Sequence, residues 1–399
     1  MAGAPRFLRR LWSRRWLRVL VGVLALVSSF VGFLVVDAWE ATGARARGER
    51  LTRVEASPHW KDDRFVDLLP RQEPAIVQAT WKWLSGGSAF RTPEQPPPVI
   101  GLGVEHFAGP APDGLRVTWL GHSTLLVEIE GSRVLIDPIW SERSSPFTWA
   151  GPRRFYPPPL ALDALPKLDA VVISHDHYDH LDYPTVLELV KRSTAPFFVP
   201  LGVGAHLEFW GVPPGRIVEL DWWQEGKVSD LTLVATPARH FSGRSLVMTD
   251  KDQTLWAGWA ILGRSHRAYY SGDTAMFPTF AEIGQRLGPF DVTMIEAGAY
   301  NALWADVHLG PEQAVLAHRM VRGRLMIPVH WGLFDLALHG WTEPIERVIA
   351  AARAAGVDVA TPRPGGAVDV DAAASRVARW WPEVEWNTAL QEPVVSSGL

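Results

Sequence analysis

Ser174-His175-Asp176-His177-Tyr178-Asp179-His180 follows directly on the short apolar run Val171-Val172-Ile173. Four potential ligands, His175, His177, Asp179 and His180, therefore fall within six residues. The apolar run reads as a buried strand, and a strand end that enters a tight loop can point alternate side chains to one place. Three imidazoles and a carboxylate held so close repel one another and lose hydration unless a cation neutralises them. The density suits two cations a few ångströms apart better than one. A single histidine there would read as a hydrogen-bonding residue of the core; the cluster does not.

Outward from this loop, the strand period recurs on both sides. Leu115–Leu120, Thr124–Ile129 and Val134–Ile136, with a turn at Glu130-Gly131, predict adjacent antiparallel strands. Leu231–Ala235, Ala268–Tyr270, Val292–Glu296 and Leu325–Val329 predict more. Helices are expected after Asp182, over Pro311–Met320 and over Pro344–Ala355, where Gly356 is a natural stop. This interleaving predicts an α/β chain with both sheet faces covered. His240, Asp273 and His330 each follow one of these strands, where a sheet edge could deliver them to a common centre.

Composition narrows the chemistry. The 399 residues are 47% hydrophobic and 21% charged, enough for a large core. A net charge of -4, with no basic tract interleaved with aromatics, gives no support for nucleic-acid binding. With no cysteine, any metal must be held by histidine and carboxylate. Twenty tryptophans suggest a ligand groove or a membrane interface.

The N-terminus carries Arg6, Arg9, Arg10, Arg14, Arg15 and Arg18 ahead of an uncharged run from Val19 to Val36. At about 1.5 Å per residue the run covers roughly 27 Å, close to a bilayer's hydrocarbon thickness. Trp16 and Trp39 bracket it. Residues 1–40 are therefore expected to be a transmembrane helix with the arginines on the cytoplasmic side and the remainder extracytoplasmic. A cleaved signal peptide and a buried helix are the competing readings. Residues 41–98 read as a connector and embellishment, with a helix over Ala75–Leu84 expected to pack on the domain through Trp81 and Trp83. Residues 99–399 read as the catalytic domain.

The motif His-x-His-x-Asp-His at residues 175–180 is the signature of the metallo-β-lactamase superfamily, which this chain resembles. Gly121-His122-Ser123, Gly151-Pro152-Arg153-Arg154, His240-Phe241-Ser242-Gly243-Arg244, Ser271-Gly272-Asp273-Thr274, His308-Leu309-Gly310-Pro311-Glu312 and Val329-His330-Trp331-Gly332 look like the branch containing N-acylphosphatidylethanolamine-hydrolysing phospholipase D. The resemblance implies an αββα sandwich. It also implies that His175, His177 and His240 hold one divalent metal, Asp179, His180 and His330 a second, and that Asp273 bridges both. Zinc is implied, with manganese or iron as alternatives.

Asp273 and Asp179 are thereby expected to be catalytic, and His308 to bind a phosphoryl group or place the substrate; a helix-start role is its alternative. His122 is a candidate donor behind the ligands. Asp137 could orient a ligating histidine or simply form a turn. His106, His206, His266 and His339 read as ordinary packing or surface histidines. Two cations sharing an acidified water suit a phosphodiesterase acting on a phospholipid. The alternatives are a lactonase or other ester or amide hydrolase, and a metal-binding structural or interaction protein.

Overall fold

The computed structural model of the protein describes residues 6–372 and 377–399. Helix α1 (Arg6–Thr42) leads into α2 (Gly48–Glu55), a small hairpin of β1 (Trp60–Lys61) and β2 (Arg64–Phe65), and α3 (Ile76–Ser85). The first half of the body then supplies β3 (Leu115–Gly121), β4 (Thr124–Ile129), β5 (Ser132–Ile136), β6 (Ala170–Val172), α4 (Tyr183–Arg192), β7 (Phe197–Pro200), α5 (Gly204–Phe209) and β8 (Ile217–Leu220). The second half supplies β9 (Glu225–Val228), β10 (Leu231–Thr236), β11 (Gly258–Leu262), β12 (Arg267–Tyr270), α6 (Thr279–Arg286), β13 (Phe290–Glu296), α7 (Pro311–Met320), β14 (Gly323–Val329), α8 (Glu343–Ala355), β15 (Asp358–Val359) and β16 (Ala367–Asp369).

These strands form two seven-stranded sheets, ordered β16-β3-β4-β5-β6-β7-β8 and β15-β14-β13-β12-β11-β10-β9. Each sheet is antiparallel at one side and parallel at the other. The change falls at β5 in the first sheet and at β12 in the second. Parallel strands with both faces covered must be apolar throughout, and alternate residues accordingly enter different layers. In β4, Leu125, Val127 and Ile129 enter the core between the sheets, whereas Leu126 packs in the outer layer with Val186 and Leu189 of α4. In β14, Leu325, Ile327 and Val329 face the same inner core, and Met326 packs with Val348 and Ala352 of α8. The result is the expected αββα sandwich.

Among the described residues, α1 is the one helix long and apolar enough to cross a membrane, judged by length and composition. Its C-terminal end is seated on the body. Trp149 Nε1 donates to Asp37 Oδ2 at 3.1 Å, and Trp210 Nε1 donates to the Glu40 carbonyl at 2.6 Å. The buried Arg244 guanidinium donates to the Ala41 carbonyl at 2.8 Å.

The connector departs from expectation in how it packs. Val54 and Phe65 are fully buried in the inter-sheet core, yet Trp81 is 71% exposed and Trp83 is 40% exposed. Helix α3 is tethered at its start, where Ala75 N–H donates to the Leu303 carbonyl at 2.9 Å, and Val77, Trp81 and Leu84 stay on the surface. Gln78, Lys82 and Ser85 share one face, and the apolar residues spread over the rest of the helix, so tethering one end leaves Val77, Trp81 and Leu84 exposed.

Candidate metal centre

Every candidate ligand lies in a loop at the end of a strand. His122 occupies the β3–β4 turn, Asp137 follows β5, and His175–His180 follows β6. His240 comes after β10, Asp273 after β12 and His330 directly after β14. Strand pairing within each sheet, and face-to-face packing between them, draw these ends together. His122, Asp137 and His330 all adopt left-handed backbone, with φ of 52°, 38° and 64°. Such residues cost about 1–3 kcal/mol each and persist only where the surroundings over-determine them. One restraint is direct: His330 N–H donates to the His122 carbonyl at 3.0 Å.

The structure brings all seven expected ligands together. His175 Nε2 lies 2.8 Å from His177 Nδ1, and His240 Nε2 lies 3.2 Å from the same atom. His330 Nε2 stands 3.2 Å from Asp179 Oδ2, and His180 Nε2 stands 3.5 Å from it. Asp273 Oδ2 sits between the groups, 3.0 Å from His330 Nε2, 3.2 Å from His180 Nε2 and 3.9 Å from both His175 and His240. Each of the sets His175/His177/His240 and His122/Asp179/His180/His330 offers ligand atoms within 4.8 Å of one another.

The donors fit divalent metal. His180 Nε2 and Asp273 Oδ1 are buried without a hydrogen-bond partner among the described residues, an arrangement that is costly for bare polar atoms. Protonation states agree. Burial, reinforced by His180, His177 and His240, presses His175 well below the usual imidazole range. Burial likewise dominates at His240, which is also well below that range. Both shifts favour the neutral ring that a metal ligand must present. Burial would raise Asp179 and Asp273, but His180 in both cases, with His330 acting on Asp273, holds each carboxyl well below its ordinary value. Burial would lower His330, yet Asp273 and Asp179 carry it up to about 10. Positive charge is demanded where His180, His330 and the two aspartates meet.

Around this core the supporting residues sort themselves. Asp137 Oδ2 accepts from His180 Nδ1 at 2.7 Å and from Ser174 Oγ at 2.6 Å, and it also takes the Tyr270 hydroxyl. Asp137 therefore orients a candidate ligand through its distal nitrogen and is more than a turn former. His122 Nε2 lies 3.0 Å from Asp179 Oδ2. His308 Nδ1 meets Glu296 Oε2 at 2.8 Å and lies 3.8 Å from Asp273 Oδ2. Glu296 escaped the sequence reading. It is fully buried at the end of β13 and also accepts the Thr274 and Leu309 backbone N–H groups. A lone carboxylate closing the apolar run Val292–Ile295 was the available signal.

A cavity of about 300 Å³ opens beside the cluster. His177, Asp179, Asp273, His308 and His330 line it together with Phe241, Trp304 and Leu336, and the Phe241 ring packs edge-on against His177 at 4.5 Å. Pro74 completes the wall, so the connector contributes to the site. His206 is buried away from this cavity; its Nδ1 accepts the Ala44 N–H at 3.1 Å.

The pattern of the β-lactamase superfamily domain matches residues 132–331. The chain belongs to the metallo-β-lactamase superfamily and is a metal-dependent hydrolase. It is 48% identical over 382 residues to a protein of Mycobacterium tuberculosis named only as uncharacterized, covering 92% of this chain and 99% of that one. It is 39% identical over 234 residues to N-acyl-phosphatidylethanolamine-hydrolyzing phospholipase D 1 of Caenorhabditis elegans, covering 56% of this chain and 65% of that enzyme. A crystal structure of isothiocyanate hydrolase from Delia radicum gut bacteria superposes with a TM-score of 0.51 at 20% identity, covering 63% of this chain and 98% of the other, and so shares the fold.

Proposed function

We propose that this protein is a binuclear phosphodiesterase that cleaves a phospholipid in the manner of phospholipase D, with a substrate of the N-acylphosphatidylethanolamine type. In this reading His175, His177 and His240 hold one cation, Asp179, His180 and His330 hold the other, and Asp273 spans the pair. Zinc suits a site rich in imidazole and free of sulfur. Two cations held there would supply Lewis acidity and an acidified water.

The observation that carries the reading is the mixed lining of the cavity, in which candidate metal ligands and apolar side chains stand together. The candidate ligands and His308 suit a phosphoryl group, and Phe241, Trp304 and Leu336 suit an acyl chain. Glu296 fixes Nδ1 of His308 and leaves Nε2 without a hydrogen bond among the described residues, ready for a phosphoryl oxygen or a leaving oxygen. Helix α1 would hold the cavity beside its substrate, with the six arginines cytoplasmic and the hydrolase domain extracytoplasmic. The exposed Val77, Trp81 and Leu84 of α3 support a location against lipid.

The test is metal quantification on the purified full chain, then a lipid panel read by mass spectrometry. About two metal equivalents and release of phosphatidate are expected. Lactone or ester hydrolysis with phospholipids left intact would overturn the phosphodiesterase assignment.

A further inference from the structure

A second groove, of about 600 Å³, lies between the end of α3 and the loop 142–155. Trp83, Arg91, Arg143, Arg153, Arg154 and Asp335 border it, and it shares no lining residue with the metal cavity. Four arginines and one aspartate therefore line it. Asp335 is engaged with Arg91 through two hydrogen bonds, at 2.8 and 3.0 Å. Arg153 pairs with Glu142 at the surface. Arg143 and Arg154 donate only to backbone carbonyls, of Gly151 and of Trp140, Ser141 and Tyr156 respectively, and neither forms an ion pair among the described residues.

The backbone sharpens the imbalance. Arg143 and Arg153 are directly opposite in an isolated antiparallel bridge, where like charges destabilise the pairing; Glu142 offsets Arg153, and Arg143 is left with a backbone carbonyl. The same loop touches α1. The Trp149 ring stands 6.3 Å from that of Phe33, and its indole N–H reaches Asp37. Phe33 lies three residues inside the end of the uncharged run, a depth of roughly 5 Å at the helical rise. An indole there suits the headgroup zone, and Gly151, Pro152 and Arg153 of the same loop line the groove.

We propose that the groove bordered by Arg91, Arg143, Arg153 and Arg154 binds the phosphate-bearing headgroup of an anionic phospholipid in the bilayer that α1 spans. The proposal rests on α1 being a membrane helix and is independent of the substrate hydrolysed. A bound headgroup would offset the charge of Arg143, which has no ion-pair partner among the described residues, and fix the domain's tilt on the membrane. Arginine suits the role because its planar fork meets phosphate oxygens two at a time.

The test uses the full chain in phosphatidylcholine nanodiscs, with trace spin-labelled phosphatidylglycerol or spin-labelled phosphatidylcholine. Flotation with liposomes after an alkaline carbonate wash first checks insertion, so failure of the anchor is seen separately. The wild type should immobilise phosphatidylglycerol over phosphatidylcholine. The Arg143→Gln/Arg153→Gln variant should lose about fivefold of that preference per arginine removed. An Arg319→Gln/Arg353→Gln variant on α7 and α8 should keep it. Equal immobilisation of the two lipids by the inserted wild type would overturn the proposal, whatever the variants do. Loss of the preference on adding millimolar inorganic phosphate would also overturn it, by reassigning the groove to a soluble anion.

Discussion

The two halves of the sandwich have matching sheets but deliver their site residues differently. The first half packs His175, His177, Asp179 and His180 into one loop after β6, with Asp137 behind it. In the second half His240, Asp273, Glu296, His308 and His330 come one at a time from separate loops and strand ends. One half holds its share of the site by local geometry, and the other by the register of a whole sheet. The first arrangement depends on a turn, the second on every strand from β10 to β14 keeping its place.

The comparison can be broken at its midpoint. Asp273 is the second-half residue that reaches both ligand groups, so Asp273→Asn should reduce hydrolysis to background and the bound metal to below two equivalents. Full activity in that variant would remove the proposed bridging role. The next largest effect is expected at Arg239, whose fully buried guanidinium pairs with Asp306 at 2.9 Å. It also donates to Leu69 and Pro70 of the connector and to Ser396 and Ser397 near the C-terminus. Arg239→Met leaves Asp306 buried without its cationic partner, held by hydrogen bonds from Gln72, Ser396 and Ser397, and chemical denaturation should show a loss of about 3 kcal/mol.

The local half can be probed through Asp137. Asp137→Asn should weaken metal affinity by about 10–100-fold in a chelator competition, because it loosens the orientation of His180. Unchanged affinity would mean that the loop is held by its own turn. The smallest effect concerns the seam between the halves. Glu130 in the β4–β5 turn accepts the backbone N–H groups of Arg264, Ser265 and His266. Burial would raise its pKa, but the N–H groups of Ser265, Arg264 and His266 hold the carboxyl at about 2, against an ordinary 4.5. A depressed folded pKa stabilises the fold above pH 4.5, and this contribution fades as pH falls toward 2. Thermal unfolding should therefore fall less steeply across that window in Glu130→Gln than in the wild type.

Legibility in the sequence follows the same division. The loop at residues 175–180 is readable because four ligands are adjacent in the chain. Periodicity also reveals the strands before His240, Asp273 and His330, since residues buried on both faces leave continuous apolar runs. The short strands β7, β8, β9, β11, β15 and β16 escape although β6 and β12 are as short; what marks those two in the sequence is the histidine- or aspartate-bearing motif that follows each. Of the packing expected of Trp81 and Trp83, Trp83 achieves part, with the Arg91 guanidinium 3.8 Å over its ring, while Trp81 stays 71% exposed; composition says that a residue is apolar without saying whether a partner surface reaches it.

By itself, the amino-acid sequence determined the kinds of donor, the loop that concentrates four of them, the apolar helix at the N-terminus and the strands that carry the rest. Only the tertiary structure decided that Glu296 holds His308, that Asp137 serves His180, that Pro74 from the connector walls the cavity, and that four arginines share a groove beside α1. Each of these is a contact between segments distant in the chain. Such contacts are set by sheet register and layer packing, which depend on all strands at once and leave no local pattern to read.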